Sequence, residues 1–193
     1  MGYDVIMVLI GSFLGFFISI LTIIVSNSLQ QRGNLKIYSK IVYNKIVENT
    51  TWGFFDDGDS ITFRVPIWFE VLNTSNVVKV LRNVNIVLFY DDIEICPMTQ
   101  IQEGYRKEKG EKQTHIFGNK SAYSFTIMPR SIERFECSFI IKKNKVPNDS
   151  NFNEMRFSYY DDRDKRRMLF LKKIQNCWEI SNNEADVDWM LLS

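Results

Sequence analysis

The sequence predicts an all-β domain held behind a single membrane-spanning helix. Three observations carry that prediction. The stretch from Val5 to Val25 holds no charged residue, and as a helix it is roughly 30 Å long, the thickness of a bilayer's hydrocarbon core. Beyond residue 34, apolar and polar side chains alternate in segment after segment, the period of a half-buried strand. Clusters of Asp, Asn, Ser, Gly and Pro separate these segments, as tight turns require. About eight segments are countable, which suits an immunoglobulin-like β-sandwich. A β-barrel is the alternative, because alternation does not distinguish a closed sheet from two packed ones.

The helix comes first. A cleaved signal peptide has a basic leader and a small-x-small cleavage site; here the leader is Met-Gly-Tyr-Asp and the exit is Ser26-Asn27-Ser28. A membrane anchor over residues 1–31, including a short connector, is therefore expected. Asp4 precedes the helix, while Arg32, Lys36, Lys40 and Lys45 follow it. The positive-inside rule then places the N-terminus outside and the following domain in the cytoplasm, at the cell membrane. Gly11, Gly15 and Ser19 recur every fourth residue. Such a stripe lets two helix backbones approach closely, so these three are the expected helix–helix contact of a homo-oligomer.

The body, residues 32–180, follows in order. Leu35 to Val47 alternates as a long strand. Residues 48–60 read as a loop that closes on Asp56-Asp57-Gly58-Asp59. Ile61 to Val71 is the cleanest strand, with Ile61, Phe63, Val65, Ile67, Phe69 and Val71 on one face. Pro66 lacks a backbone donor, which predicts an edge strand or a bulge there. After a turn at Asn73 to Asn76 come Val78 to Tyr90 and Ile93 to Cys96. Gln102 to Lys120 is polar and reads as an exposed loop. Ala122 to Met128, Glu133 to Lys142, Met155 to Tyr160 and Arg167 to Lys172 complete the set. Residues 181–193 form an acidic and then apolar tail.

Composition bounds the function. The chain has 193 residues, 45% of them hydrophobic and 14% aromatic, enough for one ordinary core and unlike a disordered segment. A net charge of +1 is unlike the strongly basic domain of a nucleic-acid binder, so nucleic acid is not an expected partner. His115 is the single histidine and sits in a polar stretch, so a His-based zinc site or His-paired nucleophile, each of which needs convergent partners, is not expected. Cys96, Cys137 and Cys177 show no CxxC spacing, and a cytosolic domain would keep them as thiols. The aspartates at 56, 57 and 59 lack the spacing of a calcium loop. No catalytic residue, metal ligand or cofactor is expected. Asn49, Asn73, Asn119 and Asn148 each begin an Asn-x-Ser/Thr triplet, read as coincidence in an Asn-rich chain.

Two groups remain as candidate contacts. Arg106, Lys107 and Lys109 in one polar segment, with Arg163, Lys165, Arg166 and Arg167 in a hairpin tip, would meet membrane lipid or a small anionic ligand; solvated loop charge is the bland alternative. Trp189, Met190, Leu191 and Leu192 would dock into a protein partner or pack on the chain's own sandwich. The first reading is a single-pass anchored β-sandwich that recruits a protein partner at the cytoplasmic membrane face. The second is a membrane effector: the β domain senses an anionic or nucleotide ligand, and oligomerised helices disrupt the bilayer. That arrangement is similar in outline to bacterial immune, anti-phage effectors that couple transmembrane helices to a β-rich sensor.

Overall fold

The structure, a computed structural model, describes residues 2–44, 50–106, 111–116 and 123–192. Helix α1 runs from Gly2 to Gln31. Among the described residues thirteen strands follow: β1 (Leu35–Ile41), β2 (Gly53–Asp56), β3 (Ile61–Asn73), β4 (Lys79–Tyr90), β5 (Ile93–Pro97), β6 (Thr99–Arg106), β7 (Glu111–Ile116), β8 (Tyr123–Ile127), β9 (Ile132–Lys142), β10 (Glu154–Tyr160), β11 (Arg166–Lys173), β12 (Ser181–Asn182) and β13 (Met190–Leu191). The span Ile6–Leu29 is long and apolar enough to cross a membrane, and none of it is buried against the rest of the chain.

The strands form two antiparallel sheets. The first holds β12-β2-β3-β9-β6-β7 in order, with β1 on the same side of β3 as β2 and β13 beside β1; the second holds β11-β10-β4-β5, with β8 also on β4. Alternation decides which side chains meet between them. Phe63, Val65, Ile67, Phe69 and Val71 of β3 are all fully buried, as are Ile86 and Leu88 of β4 and Phe157 of β10. The rings of Phe69 and Phe157 lie 4.3 Å apart across the core. At one end Phe54, Phe63, Phe152 and Trp178 pack ring against ring at 4.5 to 5.9 Å. Burying a side chain of this size stabilises the fold by about 1.5–3 kcal/mol, so these rings dominate the apolar core.

The expectation of about eight strands undercounts these elements, for identifiable reasons. β2 lies within the expected loop 48–60, because Gly53-Phe54-Phe55-Asp56 is too short to show a period. β6 and β7 pair over Ile101↔Ile116 to Arg106↔Glu111, where an exposed loop was expected; a hairpin with polar residues on both faces carries no hydrophobic alternation. β12 and β13 come from the tail. β1 ends at Ile41 where a strand to Val47 was expected, and residues 45–49 lie outside the described ones.

Pro66 corrects another expectation. β3 is central: β9 pairs with it along one side from Thr62 to Leu72, and β1 and β2 share the other. β1 ends opposite Ile67 and β2 begins opposite Arg64, so Pro66 sits at the break between them. Its missing N–H removes no ladder bond there, and its carbonyl accepts the Val42 N–H at 3.1 Å. Met98, whose N–H donates to Ile86 O at 2.8 Å, marks where the chain leaves β5 in the second sheet and enters β6 in the first.

Candidate functional site

An open groove of about 700 Å³ wraps one stretch of β9. β3 pairs with β9 from Ile132 to Lys142, but β6 pairs with it only at Ser138 to Ile140. Among the described residues, the backbone from Ile132 to Cys137 thus has a strand partner on one side only. Register puts Pro66 beside Ser138 and Trp68 beside Glu136, so these line the outer face. Around the edge, Phe125 stacks on Phe135 with centroids 3.8 Å apart and planes within 1°. Tyr123, Gln100 and Tyr43 also line it.

Among the described residues, two polar atoms in this groove have no hydrogen-bond partner. Gln100 is 5% exposed, and its Nε2 donates to Cys137 Sγ at 3.5 Å while Oε1 has none. Ser138 Oγ is also buried and unpartnered. Burying such groups without partners costs about 1–3 kcal/mol each, and an incoming backbone amide would relieve it. Cys137 is no nucleophile: burial, then the Glu136 charge, push its thiol up to about 12. Burial and the Glu94 charge likewise hold Cys96 near 11. The thiolate is the reactive form, so both stay neutral thiols at physiological pH.

The candidates expected from sequence fall elsewhere. Gly11 and Gly15 lie on the exposed helix, where an added Cβ meets nothing within 4 Å. Ser19 Oγ donates to Gly15 O at 2.8 Å. In the β10–β11 tip, Arg166 makes a bidentate pair with Glu94 at 2.8 and 2.9 Å, and Arg167 Nε donates to Asp161 at 2.8 Å. Burial alone would raise the Asp161 pKa, but that guanidinium and the Lys165 and Arg163 amides hold it below the usual value. Arg163 and Lys165 have no ion-pair partner among the described residues. Arg106 belongs to β6, opposite Glu111; Lys107 and Lys109 lie outside the described residues, as do Asn49 and Asn119. Asn73 is fully buried and Asn148 exposed.

The tail lies along its own sheet. Met190 pairs with Ser39 and Leu191 with Tyr38, and the Leu192 N–H donates to Ile37 O at 2.8 Å. Trp189 lies 5.5 Å from the Arg134 guanidinium, which is also 5.2 Å from Trp68 and bonds Glu70 at 2.5 and 2.9 Å. Met190 and Leu191 keep 40% and 54% exposure.

The groove's residues were mostly invisible in the sequence. Trp68 is the one large ring on the polar face of β3. Gln100 and Ser138 carried no signal, because only strand register brings them to the groove. No protein-family model matches this chain, and no curated protein or solved structure shows significant similarity to it.

Proposed function

We propose that this chain is a single-pass, membrane-anchored binding module whose immunoglobulin-like β-sandwich stands on the cytoplasmic face and recruits a protein partner. The observation that carries this reading is the half-paired stretch of β9 inside the groove. An extended peptide from the partner adds beside Ile132 to Cys137 as a further strand. Gln100 Oε1 and Ser138 Oγ then gain partners, while Trp68, Tyr43 and Tyr123 offer side-chain contacts. Orientation follows from Arg32, Lys36 and Lys40 after the helix, and free Cys96, Cys137 and Cys177 suit a reducing compartment.

The sensing reading would draw support from a convergent basic pocket. The groove instead offers Arg134, committed to Glu70, and it carries Glu136. That balance favours a peptide over a small anion.

Site-specific photocrosslinking in native membranes tests the proposal. A crosslinker in place of Tyr43, which is 58% exposed, should capture one partner. Glu136→Lys should abolish that adduct while leaving the melting temperature unchanged. A wild-type chain that yields no adduct, or an adduct indifferent to Glu136→Lys, would sink recruitment through the groove.

A further inference from the structure

The end of the sandwich nearest α1 combines three features that point the same way. The first is a short, fixed connection. Only Arg32, Gly33 and Asn34 separate α1 from β1, a reach of about 10 Å at most. Those residues are pinned to the β3–β4 turn. The Asn34 N–H donates to Thr74 Oγ1 at 2.8 Å, and the Thr74 N–H donates to Asn34 O at 3.1 Å. A Cβ on Gly33 would stand 2.5 Å from Ser75 N. Asn76 in the same turn lines an open cleft together with Ile18, Leu21, Thr22, Val25, Ser26 and Leu29, along the C-terminal half of the apolar span.

The second feature is exposed apolar side chains at this end. Register opposes Lys79 to Ile127 and Leu72 to Ile132, which brings Val78, Met128 and Ile132 to this end of the sandwich. They are 50%, 56% and 56% exposed. The third is charge. Arg32, Lys36 and Arg130 are exposed at this end, and the β10–β11 tip joins them because Asp162 pairs with Lys79 at 2.6 Å and Asp164 with Arg82. Those two carboxylates are therefore neutralised locally, while Arg163 and Lys165 stay open. Glu133 accepts a bond from Ser131 Oγ at 3.4 Å.

We propose that this end is a bilayer-docking face, with Val78 and Met128 entering the headgroup–acyl boundary and Arg32, Arg130, Arg163 and Lys165 meeting anionic headgroups. Apolar side chains ringed by cations are the composition of an interfacial anchor. The bilayer is the occupant because the spanning helix leaves this end too little chain to stand away from it. The proposal rests on α1 crossing the membrane, and it makes the sandwich a rigid extension of the anchor with its β9 groove held at a fixed height.

Spin labels on the full chain in vesicles of mixed phosphatidylcholine and phosphatidylserine test this. Labels replace Phe16, Met128 or Asp91 in a Cys177→Ser background, and depth is read from the relative accessibility to oxygen and to a water-soluble nickel relaxant. The expected result is Phe16 deep in the acyl region, Met128 at the interface and Asp91, in the β4–β5 turn, in water. If Phe16 is deep but Met128 is as wet as Asp91, the docking face is overturned and the spanning helix stands. If Phe16 itself is wet, both are overturned.

Discussion

Asn73 shows how much one buried polar side chain can fix. Its Nδ2 donates to Val77 O at 2.8 Å and Met128 O at 3.0 Å, and its Oδ1 accepts from Ser75 N at 3.0 Å and Ser75 Oγ at 2.6 Å. One amide thereby ties the β3–β4 turn to the β8–β9 turn and satisfies its neighbours in a fully buried site. Its Nδ2 is also enclosed, so the Asn73-Thr74-Ser75 triplet offers no accessible acceptor for a glycan in the folded chain. Asn73→Ala removes these four bonds, although Ser75 Oγ still donates to Val77 O and Ser131 Oγ to Met128 O, and should lower stability by about 1–3 kcal/mol. Urea unfolding followed by tryptophan fluorescence measures this, and a change below about 0.5 kcal/mol would show that these turns hold without the amide. Gly33 acts through space instead of bonding: at φ +129° and against the Ser75 backbone, no other residue fits without moving the connector.

At the scale of elements, the tail completes an edge. β12 beside β2 and β13 beside β1 lie end to end along the outer side of the first sheet, and Asp186 fastens the chain between them. Its N–H donates to Ile41 O at 3.0 Å, its Oδ2 accepts the Ile41 N–H at 2.8 Å, and its Oδ1 accepts Lys172 Nζ at 2.6 Å. Gly53 permits the approach of β12, because a Cβ there would overlap the Ser181 carbonyl oxygen. Asp186→Ala removes both side-chain bonds and should cost about 1–3 kcal/mol. It should also open the segment after Asn183 to limited proteolysis before the body is cut. Equal cleavage of wild type and variant would show that strand pairing alone retains the tail. The β11 edge of the second sheet is protected differently: β11 is rich in Arg and Lys, and charged edges resist pairing with other chains.

At the scale of the whole molecule, the helix stripe and the sandwich are separable. A Cβ at Gly15 meets nothing within 4 Å beyond its own helix backbone among the described residues, so Gly15→Ile should leave the monomer fold intact and block close approach by a second helix. The expected outcome is weaker self-association in a membrane two-hybrid assay, with folding unchanged; an unaltered signal would remove the stripe from any oligomer. The spanning stretch, the long strands β3, β4 and β9 and the turn at Asn73 were legible in the sequence, because length, alternation and turn chemistry are local properties. The polar β6–β7 hairpin and the four-residue β2 were not, since neither has an apolar face long enough to show a period. Of the candidate site, the sequence singled out Pro66 and Cys137, each for a reason other than the groove. By itself the sequence determined an apolar helix of spanning length joined to a β-rich body, because chain-local hydrophobicity dictates both. Only the tertiary structure decided that Pro66 lies at a break between two strands, that the tail becomes an edge, and that Gln100, Phe135 and Ser138 line one groove. Those outcomes depend on pairing register between distant segments, which no local pattern encodes.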